Sequence, residues 1–137
     1  MKKIISLMCL SIFVNSCAWL DESEHQKIIG QYEIGWNDLE SNRAITKKIE
    51  NSESSYNIII DSYVFAVGHN ESFIVAKQHQ SFNEETNYYL IDIEKNKEDN
   101  SKGIYGPLNE VEFEKMKTKF NIKSLKFDLI FADKPDK

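Results

Sequence analysis

The side chains able to do covalent, metal or proton chemistry are few in this chain. There are two cysteines, Cys9 and Cys17, and three histidines, His25, His69 and His79. A zinc site draws several convergent ligands, commonly His or Cys at tight spacing. No pair here stands at such a spacing, although His69 and His79 flank one predicted strand with Glu71 near the first. Neither a metal nor any other cofactor is expected. Carboxylates pair at Glu84-Glu85 and Glu98-Asp99, both in polar stretches where a solvated role is the default. General acid–base work would need one of them inside an apolar pocket. No G-x-S-x-G surrounds a serine, and Ser62 or Ser72 near His69 is a chance neighbourhood in a serine-rich chain. The five glycines are scattered singly, so no phosphate-cradling loop forms. Trp36, Tyr88, Tyr89 and Tyr105 could face a ligand, but strand positions are the usual place for such residues. No residue receives a catalytic role.

Cys17 stands in a more telling context. Lys2 and Lys3 precede an uncharged, mostly apolar run over residues 4–14. That run is too short to cross a hydrocarbon core of about 30 Å, which takes about 20 residues. It has the size and flanks of a signal-peptide core. Its end, Val14-Asn15-Ser16-Cys17, resembles the bacterial lipobox, in which an aliphatic residue and two small ones precede a cysteine that is diacylated and becomes the new N-terminus. Asn15 is bulkier and more polar than that pattern favours. The resemblance implies a signal peptide over 1–16 and a lipid on Cys17. Two other outcomes fit the same residues: ordinary cleavage after Ala18, or retention of the run as a helical anchor. On the lipoprotein reading the folded part keeps no free thiol and no disulfide, although its compartment would permit one.

Removing 16 of 137 residues leaves 121, one domain of ordinary size. The leader takes two lysines with it, leaving 15 basic against 22 acidic residues, a net charge near −7. Such an acidic domain excludes nucleic acid as the expected partner and argues against electrostatic docking on anionic head groups. Hydrophobic content of 41% fits a folded globule rather than a disordered tail. Arginine occurs once, at Arg43, among abundant Asn, Lys, Ile and Ser, a bias of composition more than of function.

The elements that must position these residues read mainly as β. Residues 17–27 are expected to be a polar tether. Position 18 is Ala rather than Asp, so the inner-membrane retention signal known from enteric bacteria is missing and an outer-membrane address is favoured. Strands are predicted at 28–36, 43–49, 56–60, 63–67, 72–78 and 88–93, with Gly68-His69-Asn70-Glu71 as a hairpin turn using positive φ. The apolar runs near 64–67 and 73–76 are continuous, which predicts central strands covered on both faces. Residues 80–87 and 94–102 read as polar, exposed loops, where recognition is expected to reside. Asn109 and Glu112 form a capping box, with Leu108 and Phe113 as its hydrophobic staple. Phe113, Met116 and Phe120 make the helix's apolar stripe, Lys117 falls on its outer face, and Asn121 can close it in a left-handed conformation. A last strand alternates Leu125, Phe127, Leu129 and Phe131 against Lys126 and Asp128, with Ile130 as the exception. The domain is thus expected over 28–133, with a polar tail at 134–137. Its class is α+β, mainly β: an antiparallel meander or small sandwich with one C-terminal helix packed on the sheet, then a final strand.

Asp61-Ser62-Tyr63-Val64-Phe65-Ala66-Val67, Phe73-Ile74-Val75-Ala76-Lys77-Gln78, Asn87-Tyr88-Tyr89-Leu90-Ile91-Asp92 and Tyr105-Gly106-Pro107-Leu108 together resemble a family of small bacterial lipoproteins of unknown function. That resemblance implies fold and lipidation and brings no catalytic residues. The expected function is a lipid-anchored, non-catalytic binding or inhibitory module of the cell envelope. It would be held to the membrane by its lipid, periplasmic or surface side undecided, with an envelope protein or glycan as partner. The alternatives are a structural lipoprotein of an envelope complex and, behind it, a small hydrolase. Each acyl CH₂ buried in a bilayer contributes about 0.8 kcal/mol, and two or more chains make anchoring stable. Detergent phase partitioning should therefore send the wild-type chain into detergent and Cys17→Ala into water; equal partition would mean an uncleaved helix.

Overall fold

A computed structural model describes residues 24–37, 39–79 and 85–131. Cys9, Cys17, the tether up to residue 23, most of the loop at 80–87 and the tail lie outside the described residues. β1 (Glu24–Ile29), β2 (Tyr32–Trp36), β3 (Ala44–Lys48) and β4 (Tyr56–Ile60) form one antiparallel meander, with a 3₁₀ turn at Glu40–Asn42. β5 (Val64–His69), β6 (Phe73–His79), β7 (Thr86–Asp92) and β8 (Ile104–Leu108) form a second sheet. β9 (Leu129–Ile130) adds to the open edge of β5, giving the order β8-β7-β6-β5-β9. A short helix α1 (Ile93–Glu98) separates β7 from β8, and α2 (Glu110–Lys119) follows β8. The expected mainly-β class with a C-terminal helix and a final strand is what the chain adopts, as a sandwich.

The pleat of the second sheet explains the layering. Its even-numbered residues Ile74 and Ala76 share one face with Val67 and Ile91, and these pack on Tyr32, Ile34, Ile45 and Ile60 of the first sheet. Val75 and Leu90 point the other way, into a second cluster with Phe113 of α2 and Leu125. Residues 64–68 and 74–76 are all buried, because this sheet is the middle of three layers. The unbroken apolar runs required that double coverage.

α2 forms where capping, staple and stripe agree. Asn109 N–H donates to Glu112 Oε2 at 2.9 Å, and Glu112 N–H donates to Asn109 Oδ1 at 2.9 Å. Phe113 is 2% exposed, stacked on Tyr88 with centroids 4.9 Å apart. At the far end Asn121 takes φ 57°, and the amides of Asn121 and Ile122 donate to the carbonyls of Thr118 and Lys117. These bonds satisfy the last carbonyls and stop the helix. Lys117 departs from its expected outer position. Its side chain is 20% exposed, and its ammonium lies 5.4 Å from the Phe113 ring centroid.

The two sheets are joined by a seam at the β4–β5 crossover. Val64 N–H donates to Arg43 O at 3.0 Å, and Arg43 Nε donates back to Val64 O at 2.9 Å. The guanidinium also donates to Glu40 O at 2.8 Å and lies 4.4 Å from the Phe131 centroid. The single arginine is thus a buried structural fork, 2% exposed, rather than a compositional accident. Beside it Tyr63 takes φ 68°, a strained value for a bulky residue. Gln78 Nε2 donates to Asp61 O and Ser62 O, and His79 N–H donates to Tyr63 O, which holds the bend.

Four other expectations change. β1 begins at Glu24, inside the segment read as tether, because its charged residues pair with β2 while remaining exposed. Residues 94–102 are not a free loop: α1 occupies most of them, started by Asp92 Oδ1 accepting from Lys95 N–H. The hairpin turn after β5 works through Asn70 Oδ1, which accepts from the amides of Ser72 and Phe73, and not through positive φ. Gly68 instead lies within the strand, where a Cβ would stand 2.0 Å from Lys126 O. The last strand shrinks to Leu129–Ile130, although Leu125, Phe127, Leu129 and Phe131 do turn inward and Ile130 outward.

Phe113→Ala should destabilise the domain by roughly 3–5 kcal/mol in denaturant melts, the usual cost of emptying an aromatic core site. Exposed Lys115→Ala should stay within about 0.5 kcal/mol. Arg43→Lys should cost about 2 kcal/mol despite its retained charge, because an ammonium cannot replace two directed bonds of a planar fork.

Candidate functional site

Strand alternation turns Tyr32, Ile34 and Ile45 of the first sheet inward. It therefore turns Glu33, Gly35, Ala44 and Thr46 outward, onto the face away from the second sheet. On this face the His25 ring stacks on Tyr56, centroids 5.4 Å apart and planes 11° from parallel. His25 Nδ1 lies 3.8 Å from Glu33 Oε2. Gly35, the cross-strand partner of His25, makes this possible, since a Cβ there would stand 2.4 Å from Nδ1.

Two oxygens on this face are buried without a hydrogen-bond partner, Glu33 Oε2 and Thr46 Oγ1. Their residues are direct cross-strand partners, so the two acceptors belong to one spot. Buried polar atoms are ordinarily satisfied, and one left open costs about 1–3 kcal/mol. Ile58, paired with Thr46 on the edge strand β4, is 64% exposed beside them. The face thus combines a flat imidazole–phenol stack, an exposed apolar flank and the half-buried carboxylate of Glu33. That set suits a ligand carrying hydroxyl or amine donors. Among the described residues no three His, Cys, Asp or Glu side chains converge as metal ligands.

The residues singled out from sequence are scattered. His69 is exposed at the β5–β6 turn, while His79 is buried at the other end of β6, stacked on Phe65 at 4.2 Å. Ser62 lies in the crossover and Ser72 in the turn, both engaged in local backbone hydrogen bonds. Glu98 and Asp99 are exposed, and the Asp99 carboxyl is held below its usual range by the Ser101 hydroxyl and amide. Tyr88 and Tyr105 pack against Phe113 and Phe120 of α2 and its end. Tyr89 donates to Gln78 Oε1, and Trp36 meets Phe131 edge-on at 6.2 Å. Only His25 joins the candidate face. Glu33, Thr46 and Tyr56 were missed, though an acid between apolar residues of Tyr32-Glu33-Ile34 marks the outward row.

A second polar group lies between the layers. Asn96 of α1 is fully buried: its Oδ1 accepts from Tyr32 OH at 2.7 Å, and its Nδ2 donates to the carbonyls of Asn100 and Lys102. Lys47 Nζ donates to Asn96 O at 2.6 Å and to Asn100 Oδ1 at 2.9 Å. Burial lowers the Lys47 ammonium from its usual range, only partly offset by Glu50. Burial, with Asp92 adding to it, pushes the Tyr32 phenol up to about 12. Every member is satisfied within the protein, so this network pins α1 to the first sheet and is no ligand site. Along the outer side of α2, Glu110, Val111 and Glu114 border an open depression of about 580 Å³ without buried polar groups.

Because the Tyr32 phenol keeps its proton longer folded than unfolded, stability should be lost as pH rises from about 10 to about 12. Tyr32→Phe should remove this loss, while costing about 1–3 kcal/mol at neutral pH through the open Asn96 acceptor. Phenolate absorbance against pH, with melts at both ends of the window, checks both effects.

Residues 24–131 match the model of the family described as protein of unknown function, DUF3997. No curated protein and no solved structure matches the chain. The matched span begins with β1 and ends just after β9, taking in both sheets, both helices and the His25–Glu33 face. The chain therefore belongs to the DUF3997 family, whose members share this domain.

Proposed function

We propose that this is a lipid-anchored protein of the bacterial cell envelope that acts by binding, without turnover, through the outer face of its first sheet. The leader and Val14-Asn15-Ser16-Cys17 support the anchor and the compartment. The observation that carries the binding reading is the flat His25–Tyr56 stack with Glu33 on one side of it and exposed Ile58 on the same face. Such a surface recognises donor-rich, partly flat ligands, and sugar hydroxyls or a peptide amine are the envelope chemistries that fit. Edge strand β4, with Ile58 exposed, supplies the apolar contact such ligands also use. Confinement to a membrane raises the effective concentration against a partner held at the same surface. The loop at 94–102 is pinned by buried Asn96, and its other residues stay exposed, as expected of a recognition loop.

Immobilised protein should retain a defined glycan or protein from envelope extracts. Glu33→Gln or Tyr56→Ala should weaken that capture at least about tenfold, the scale of one lost anchor contact. Both variants should keep a nearly wild-type Tm. Reproducible hydrolysis of an envelope substrate, abolished by His25→Ala in a folded protein, would replace this reading with an enzyme.

A further inference from the structure

Among the described residues β1, β4, β8 and β9 stand at sheet edges, and all but β4 are well protected. β1 carries Glu24 and Lys27 with a bulge between Lys27 and Ile29, β8 contains Pro107, and β9 is only two residues long. Charge, proline, bulges and shortness are the usual means of keeping an edge from pairing with another chain. β4 is different. Its residues, Tyr56-Asn57-Ile58-Ile59-Ile60, include no charge and no proline, and Ile58 is 64% exposed. The nearest charges along the chain, Glu53 and Asp61, lie outside the strand at its two ends.

The register decides which backbone groups of β4 are open. Ile49 N–H donates to Ser55 O at 3.0 Å, and the same register pairs Lys48 with Tyr56, Lys47 with Asn57 and Thr46 with Ile58. Antiparallel pairs alternate between bonded and non-bonded, so Asn57 directs its N–H and C=O to β3. Those of Tyr56 and Ile58 point the other way, to the open edge. A bulge at Ile59, beyond which Ile60 pairs with Ile45, ends this regular stretch.

We propose that β4 pairs antiparallel with β4 of a second copy of this chain, about a two-fold axis at Asn57. That axis sets Tyr56 of each copy against Ile58 of the other, and each such pair exchanges two N–H···O=C bonds. The occupant is a second copy because the edge complements itself. Aromatic and β-branched side chains pair well across strands. Asn57 meets its own carboxamide, which is both donor and acceptor. Two acidic domains repel, and an uncharged strip is where they approach with least repulsion. A seam this short lies at the low end of interface size. Confinement to one membrane, on the anchor reading above, raises the concentration that it needs. The two first sheets become one, with both His25–Tyr56 stacks on the same side. The pairing does not depend on what that face binds.

The test uses the full chain in a density-matched detergent, followed by sedimentation equilibrium. The average mass should climb from one chain toward two as concentration rises. Ile58→Pro removes an N–H that faces no strand of its own domain, where an edge tolerates proline. That variant should keep a nearly wild-type melt and stay single. Val111→Lys, on exposed α2 surface, should pair as the wild type does. If Ile58→Pro does not fold, Ile58→Lys takes its place, since lysine is a natural guard of edges. Amide hydrogen exchange reads the register: Tyr56 and Ile58 should slow severalfold with rising concentration, and Asn57, already bonded to β3, should slow less. A single mass at every concentration would overturn the pairing, as would undiminished association of a folded Ile58 variant. Slow exchange at Tyr56 and Ile58 that ignores concentration would mean that the same chain covers its own edge, and would overturn it too.

Discussion

The second sheet has no face left for water, and the rest of the molecule follows from that. Val75 and Leu90 on one side and Ile74, Ala76 and Ile91 on the other must all be covered at once. An antiparallel sheet commonly leaves one face solvated; this one recruits a full four-stranded sheet against one face and α2 with the 122–127 segment against the other. The first sheet can then afford an outer face of mixed chemistry, because it needs only its inner face for stability. The candidate site sits there for that reason. It occupies the one sheet surface that the core does not claim.

What was legible in the sequence was what depends on neighbours along the chain. The Asn109–Glu112 box, the Phe113 stripe and the stop at Asn121 are local, and all three appear as read. Double coverage of the middle strands was also legible, because a strand with a wet face must alternate and these do not. Contacts between distant segments were not. Asn96 sits in a charged stretch that looks like surface, yet its amide is bonded to Tyr32 of the first sheet and to the carbonyls of Asn100 and Lys102. Gly68 looked like a turn residue when its purpose is to let the Lys126 backbone pass. The His25–Glu33–Tyr56 group combines β1, β2 and β4, and no spacing in the chain announces that they share a face. The start of β1 was obscured because edge strands can be polar on both sides.

The buried polar groups divide into two kinds, and the contrast shows which is structural. Arg43, Lys47 and Asn96 lie deep, but each donates directed bonds to backbone carbonyls. They act as pins where apolar side chains would allow the layers to slide. Glu33 and Thr46 are shallower and leave oxygens open. Stability alone gives no reason to keep an unsatisfied carboxylate oxygen in a strand when a leucine or valine would serve.

The close passage of Lys126 over Gly68 has a consequence for the order in which the molecule can be made. β5 is flanked by β6, which follows at once, and by β9, which arrives some sixty residues later at the end of the domain. Until that last segment emerges, one edge of the central sheet stays open, Phe65 and Arg43 lack Phe131, and the helix-side cluster lacks Leu125. The nascent chain therefore cannot lock its core ahead of completion, and non-local closure of this kind is slow. Packing becomes final only once the whole domain has been made.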